Sequence, residues 1–382
     1  MPYEPAEDSF LLQKAVRRFA RGRVLDIGTG SGIQALTAAG KQTVRSVLAV
    51  DIDSEVISFL RSQKSSPKIT IRPSDLFSQV NGTFDTIICN PPYLPQDQGV
   101  NDPALYGGKK GYELIERFFA EVGDHLVGKG VILLIFSSLT NKERVDAVIQ
   151  QQLFQFRELS RQKLAFEELY CYIITPTPLR NRLTQNKVTN IHYFARGKRG
   201  LIYTGHYHKK KVAIKVPRPG SQAKGRIANE TRWLRVINKD GMGSRLLFAG
   251  PGFVVYVFVE GQLLKELLKG ASYSVLRRIF RSVLRQCFQL DQLGVQKEEM
   301  HRPQKHIILG KHGHVTLIDF ERCYRKQNPH NVTQFVEFIC RAQPILMQRG
   351  FSFTVAALRH AIRMYASERT EESFQRLLRL VR

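Results

Sequence analysis

The sequence predicts an α/β unit built on a mostly parallel sheet, followed by an α+β unit of two lobes, in a chain of 382 residues. Three observations carry this. Short apolar runs in the first half end in turn in glycine, aspartate and asparagine, the pattern of buried parallel strands whose carboxyl ends face a ligand. Charge divides the chain: residues 1–178 hold 20 basic and 20 acidic side chains and the remaining 204 hold 38 and 13, so the net charge of +25 belongs to the second part. Finally, Thr175-Pro176-Thr177-Pro178, followed by a polar stretch to Asn190, reads as a joint. The expected organisation is a first domain over 1–178, a linker over 179–190 and a second domain over 191–382, a length ample for two cores.

The elements of the first domain follow in order. Arg23-Val24-Leu25-Asp26-Ile27-Gly28 reads as the first strand, after which Thr29-Gly30-Ser31-Gly32 turns into a helix beginning near Ile33. The glycines of Asp26-x-Gly28-x-Gly30-x-Gly32 let the backbone approach a nucleoside-bearing ligand closely. The spacing G-x-G-x-G differs from the G-x-G-x-x-G of dinucleotide sites and favours S-adenosylmethionine (AdoMet), which has no pyrophosphate to cap. A second strand, Ser46 to Val50, ends in Asp51, nineteen residues after Gly32, where an acid binds ribose hydroxyls. Asp75 ends a third strand and is placed beside the adenine. Phe84-Asp85-Thr86-Ile87-Ile88-Cys89 is a fourth strand, and it runs into Asn90-Pro91-Pro92-Tyr93. There the Asn90 amide and the Pro91 carbonyl can each accept a hydrogen bond from an incoming NH2 group, while Tyr93 offers a face to a planar one. That chemistry suits a nitrogen whose lone pair is delocalised, such as a side-chain amide or an exocyclic base amine. The expected fold is therefore a Rossmann-like AdoMet-dependent methyltransferase with seven strands.

These motifs, with Tyr3-Glu4-Pro5-Ala6-Glu7-Asp8-Ser9-Phe10, Tyr106-Gly107-Gly108-Lys109-Lys110-Gly111 and Phe166-Glu167-Glu168-Leu169-Tyr170, resemble the HemK-type protein methyltransferases in their archaeal and eukaryotic branch. The resemblance covers residues 1–178. It implies methyl transfer to the glutamine side chain of a Gly-Gly-Gln loop in a peptide-chain release factor. It also implies Asn90, Pro91 and Tyr93 at the acceptor and Asp26, Gly28, Gly30, Gly32, Asp51, Asp75 and Asn90 around the cofactor. A small zinc-containing activator subunit is the implied partner. The same tetrapeptide occurs in adenine and cytosine methyltransferases, and some relatives act on lysine, so an N6-adenine nucleic-acid methyltransferase is the alternative, with the basic half gripping its substrate.

The second domain carries different chemistry. Val212-Ala213-Ile214-Lys215 matches the strand that sets a lysine on ATP phosphates in protein kinases. Ahead of it, Ala195-Arg196-Gly197-Lys198-Arg199-Gly200 is similar to the glycine-rich loop, with alanine at its first glycine. Glu230, fifteen residues after Lys215, is placed to pair with that lysine. Val254 to Gly261 resembles the hinge between lobes, and Leu317-Ile318-Asp319-Phe320-Glu321 ends a strand in an acid suited to magnesium. Together these segments resemble the RIO-like atypical kinases, in particular an archaeal Ser/Thr kinase group, and imply Mg-ATP at Gly197, Gly200, Lys215, Glu230 and Asp319, with Asp319 on the metal. The pattern departs from the family in the catalytic loop. Glu299 stands for the aspartate base, His306 stands where the metal-binding asparagine is expected, the loop is two residues longer, and only 61 residues follow Glu321. Imidazole is a poor magnesium ligand beside an amide oxygen, so phosphotransfer rests on Glu299. A non-enzymatic nucleotide-sensing or ribosome-docking module is the other reading of this half.

The basic balance of that half invites an anionic partner such as RNA or the ribosome. Arg277, Arg278, Arg281 and Arg285 alternate with Leu276, Ile279, Val283 and Leu284, as expected of an amphipathic helix with solvated charges. Five scattered cysteines form no C-x-x-C, so neither disulfides nor a zinc site is expected. His192, His206, His208, His312, His314 and His330 lack metal spacing. Without a signal peptide or a run of eighteen apolar residues, the expectation is a soluble cytoplasmic protein with no membrane association.

Overall fold

The computed structural model describes residues 4–63, 66–96, 105–197, 200–218 and 225–381; Tyr3 of the N-terminal motif and Lys198 and Arg199 of the glycine-containing turn lie outside them. The chain forms two compact units, Met1–Tyr193 with Gly205–Lys209, and Phe194–Thr204 with Lys210–Arg382.

In the first unit seven strands build one sheet: β1 (Gly22–Ile27), β2 (Val44–Asp51), β3 (Ile69–Pro73), β4 (Phe84–Cys89), β5 (Leu126–Ser137), β6 (Phe154–Lys163) and β7 (Glu168–Pro176). Their order is β3-β2-β1-β4-β5-β7-β6. The first five are parallel, and β7 joins β5 and β6 antiparallel. Both faces are buried, which explains the unbroken apolar runs. Leu25, Ile27, Ile87, Ile132 and Leu134 point into one core, while Val24, Ile88, Leu133 and Ile135 point into the other. The second core is closed by α1 (Glu7–Phe19) and α2 (Ile33–Ala39), the first by α4 (Glu113–His125) and α5 (Lys142–Gln151), and α3 (Ser54–Ser62) follows β2. α4 shows how sequence sets this packing: Ile115, Phe118, Phe119 and Val122 recur at helical spacing and are all fully buried, each such side chain contributing roughly 1.5–3 kcal/mol. α3 starts where the Asp53 carboxylate accepts the Glu55 N–H at 2.8 Å.

The chain runs outward from β1 through β2 to β3, then returns to lay β4 on the other side of β1. This reversal opens a crevice beyond the carboxyl ends of β1 and β4. Residues 179–190, expected as a linker, instead contain α6 (Pro178–Gln185) and the start of a strand at Val188. Thr177 accepts the Arg180 N–H at 3.2 Å and Pro178 takes the first turn. Thr-Pro here is a helix start rather than a break.

The second unit opens on a sheet of order β11-β12-β10-β9-β8, made from β8 (Val188–Arg196), β9 (Gly200–Tyr207), β10 (Lys210–Pro217), β11 (Leu246–Gly250) and β12 (Phe253–Val257). Residues 188–193 and 205–207 of β8 and β9 belong to the first unit. Helix α7 (Arg226–Ile237) lies between β10 and β11 in the chain. A small sheet of β13 (Gly261–Leu263), β15 (Ile307–Gly310) and β16 (Val315–Leu317) and a two-stranded pair of β14 (Val295–Gln296) and β17 (Tyr324–Arg325) follow. They sit among α8 (Leu264–Gly270), α9 (Tyr273–Gln292), α10 (Asn331–Arg341), α11 (Gln343–Met347), α12 (Val355–Glu368) and α13 (Glu371–Leu380). α9 buries Leu276, Ile279, Phe280, Val283, Leu284, Cys287 and Leu290 and exposes Arg277, Arg278 and Arg285. At its end the Asp291 carboxylate accepts from the Asn331 N–H, the Asn331 amide and the Tyr365 hydroxyl, tying α9 to α10 and α12. The five cysteines are free and buried. Among the described residues no helix is long and apolar enough to cross a membrane.

Candidate functional site

The crevice of the first unit holds a cavity of about 820 Å³. Its floor is the turn after β1, where Gly28, Gly30 and Gly32 all take positive φ (66°, 49° and 78°), a conformation cheap only for glycine. The Thr29 N–H donates to the Val50 carbonyl at 3.0 Å and the Gly32 N–H to the Thr29 carbonyl at 2.8 Å, which pins the turn to β2. Asp51, at the end of β2, accepts the Gly30 N–H at 3.0 Å on one oxygen and the Asp53 N–H at 3.0 Å on the other. Each carboxylate oxygen keeps lone pairs for a diol.

Of the residues expected around the cofactor, Gly28, Gly30, Asp51, Asp75 and Asn90 line the cavity, together with Pro91 and Tyr93. Asp26 and Gly32 do not line it. The Asp26 carboxyl is 1% exposed, accepts the Thr29 hydroxyl at 2.7 Å and supports the turn from behind. Burial pushes its pKa up to about 7, against the Thr29 hydrogen bond, with the Asp51 charge adding to the rise. Gly32 opens α2, and a Cβ there would stand 2.8 Å from Leu60. Asp75 forms an ion pair with Arg117 of α4 at 2.7 Å, and Arg117 also lines the cavity.

Across the cavity, the Asn90 amide donates to the Asp8 carboxylate at 2.9 Å, and the Tyr93 hydroxyl lies 3.5 Å from the same oxygen. This fixes the carboxamide so that its Oδ1 is the free end; that oxygen is buried and has no hydrogen-bond partner among the described residues. The glycine-rich loop at 106–111 lies on the Asn-Pro-Pro-Tyr backbone. A Cβ on Gly107 would stand 2.4 Å from the Pro92 carbonyl, and one on Gly111 2.4 Å from that of Tyr93. Asp8 and Arg117 were missed as site residues. Asp8 sits in the N-terminal motif, but nothing local indicates its partner 82 residues on.

A glycine turn facing a paired acid, with an amide acceptor across the same crevice, is the arrangement of Rossmann-like AdoMet-dependent methyltransferases. The residues fit AdoMet, with positive-φ glycines for close approach, Asp51 lone pairs for the ribose and an orphaned Asn90 oxygen at the reacting end. Residues 7–167 match the family described as "Methyltransferase small domain". A Methanocaldococcus jannaschii protein named "Putative protein N5-glutamine methyltransferase" is 35% identical over 174 residues, 44% of this chain and 88% of that protein. Human Methyltransferase HEMK2 is 30% identical over 180 residues, 42% of this chain and 83% of the relative. The release factor glutamine methyltransferase of Deinococcus radiodurans is 33% identical over 142 residues, 34% of this chain and 51% of the relative. Through its first unit the chain belongs to the HemK-type glutamine methyltransferase family.

The second unit gathers a separate polar cluster. β10 pairs with β12 so that Lys215 stands opposite Val254. The Lys215 ammonium, on a side chain 9% exposed, meets Glu230 of α7 at 2.8 Å, Asp319 at 2.9 Å and Glu321 at 3.0 Å. Burial opposes that charge, but the carboxylates outweigh it and hold Lys215 well above its ordinary pKa. Asp319 behaves in the mirror sense: burial would raise it, yet Lys215 and Lys297 hold it near 2. Gly197 and Gly200 meet in a turn closed by the Gly197 N–H on the Gly200 carbonyl at 2.8 Å. Glu299 accepts from Arg322 at 2.7 Å and lies 3.1 Å from His306. Burial works against its charge, but Arg322 and His306 leave it below the usual carboxylate range. Glu299 (φ 73°) and Asp319 (φ 64°) both hold left-handed backbone, which a non-glycine residue keeps only where its surroundings impose it. Arg322, Lys297 and Glu321 were not anticipated as members of this cluster.

Proposed function

We propose that the first unit transfers a methyl group from AdoMet to the side-chain amide of the glutamine in a Gly-Gly-Gln loop of a peptide-chain release factor. The observation that carries this is the buried, unpartnered Asn90 Oδ1 facing the cavity. A primary amide is a weak nucleophile because its lone pair is delocalised into the carbonyl. Asn90 Oδ1 accepts one of its N–H groups and the Pro91 carbonyl the other, which turns the lone pair out of conjugation. Tyr93 covers the planar face. Asp8 keeps the Asn90 amide from rotating its donor end into the site. Gly28 and Gly30 admit the cofactor, with Asp51 on the ribose and Asp75, held by Arg117, beside the adenine. Asp26 and Gly32 shape the turn. When bound, AdoMet supplies the electrophilic methyl; these residues orient the acceptor and exclude water. A small zinc-containing activator subunit is the partner, and the cytoplasm the compartment.

For the second unit the reading is Mg-ATP binding by an atypical Ser/Thr kinase-like domain, supported by the Lys215–Glu230 and Lys215–Asp319 pairs at 2.8 and 2.9 Å. Glu299 is its base, Asp319 its metal ligand and the Gly197–Gly200 turn its phosphate cover. The excess of basic residues in this half supports contact with RNA or the ribosome.

The test offers labelled AdoMet together with release factor, a lysine-bearing protein, DNA and RNA. Label on the release-factor glutamine is expected. Label on adenine would move the assignment to the nucleic-acid alternative, and label on lysine to the protein-lysine one.

A further inference from the structure

We propose that Glu299, His306 and Asp319 ligate a first-row transition-metal dication of the manganese or zinc kind, rather than magnesium. The proposal deepens the nucleotide reading by naming its metal, and it rests on that reading only for what the metal would serve. One ligand atom from each of the three side chains lies within 4.8 Å of the others. His306 Nε2 and Glu299 Oε2 are 3.1 Å apart, and His306 Nδ1 and Asp319 Oδ2 3.7 Å. A dication held about 2.1 Å from two adjacent ligands keeps them roughly 3 Å apart, so the first pair has the spacing of metal-bound neighbours.

The imidazole itself points the same way. His306 Nδ1 is fully buried and has no hydrogen-bond partner among the described residues. Such an orphaned ring nitrogen is unfavourable unless the site holds something it can meet. Charge agrees with this. The carboxylates of Glu230, Glu298, Glu299, Asp319 and Glu321 meet the cations Lys215, Lys297 and Arg322. That negative excess repels a bare triphosphate and draws in a dication. A set of one nitrogen and two carboxylates suits manganese, iron or zinc, whereas magnesium prefers oxygen alone.

The full chain, stripped with a chelator, is titrated with Mn2+ alone and followed by electron paramagnetic resonance. The expected result is one bound ion with imidazole-nitrogen modulation in the pulsed spectrum, displaced by Zn2+ and resistant to a tenfold excess of Mg2+. His306→Asn, which replaces the ring nitrogen by an amide oxygen, should abolish the modulation and weaken Mn2+ about tenfold or more. Trp233 is the only tryptophan of the chain and is buried in this unit. Its fluorescence checks that the variant is folded, and His306→Gln replaces any variant that is not. Absence of a bound ion, modulation that survives in His306→Asn, or ready displacement by equal Mg2+ would overturn the proposal. Mg-ATP or Mn-ATP binding is measured separately; its failure beside an intact, His306-dependent Mn2+ site supports the metal site and removes the nucleotide reading alone.

Discussion

Asn90→Ala separates acceptor chemistry from cofactor binding. The wild-type carboxamide has two ends with different duties: Nδ2 donates to Asp8 at 2.9 Å, and Oδ1 is buried without a partner. Removing a preorganised polar group at a reacting centre lowers turnover by about 10²–10³, or about 2.7–4 kcal/mol of barrier, and Asn90 Oδ1 is such a group. The same change leaves the Asp8 carboxylate, on a residue 5% exposed, short of one donor. A hydrogen bond to a charged group is worth about 1.5–3 kcal/mol, so a stability loss near the lower end is expected, since water enters the space the amide vacates. AdoMet affinity should stay within about threefold, because Gly28, Gly30 and Asp51 are untouched. Single-turnover transfer of labelled methyl to a release factor gives the rate, and calorimetry with AdoMet gives the affinity. Transfer within about fivefold of wild type, on correctly bound AdoMet, refutes the acceptor assignment.

Asp51→Ala should do the reverse, lowering AdoMet affinity by about 10–100-fold in calorimetry, since a charged hydrogen-bond partner is worth about 1.5–3 kcal/mol and the Gly30 N–H also loses its acceptor. Asp26 predicts a pH dependence of stability. Its pKa is about 7 in the fold against an ordinary 3.8, so the folded state keeps a proton that the unfolded chain releases. The stabilising contribution is complete below about pH 4 and is lost as pH rises through 7, on the order of 4 kcal/mol in all. Urea titrations should show Asp26→Asn gaining on the wild type between pH 4 and 8, and a constant difference would contradict this. Lys215→Ala strands three carboxylates and should destabilise the second unit by about 3–5 kcal/mol, read from Trp233 fluorescence, and should weaken Mg-ATP binding in calorimetry. Lys215→Arg should keep most of the stability, and unchanged nucleotide affinity in either variant would remove Lys215 from the site.

Local signals in the chain determined the strands, their ends and the glycine turn. A buried parallel strand is a contiguous apolar run, and Asn90-Pro91-Pro92-Tyr93 or Gly28-x-Gly30 is legible because each motif is a few consecutive residues whose backbone conformation follows from their own side chains. The direction of Asp26 was also available in principle. It shares strand parity with Val24 rather than with Leu25 and Ile27, which fill the opposite core, and parity sends its carboxyl beneath the turn instead of into the cavity. The pairings belong to tertiary structure alone. Asp8 meets Asn90 across 82 residues and Lys215 meets Asp319 across 104. Arg117 reaches Asp75 from a different helix, and Arg322 takes one oxygen of Glu299 while His306 lies by the other. Charge in a sequence has no address. Which carboxylate a lysine or an amide finds depends on how helices pack on sheets, and that is decided by the buried apolar surfaces rather than by the polar groups they bring together.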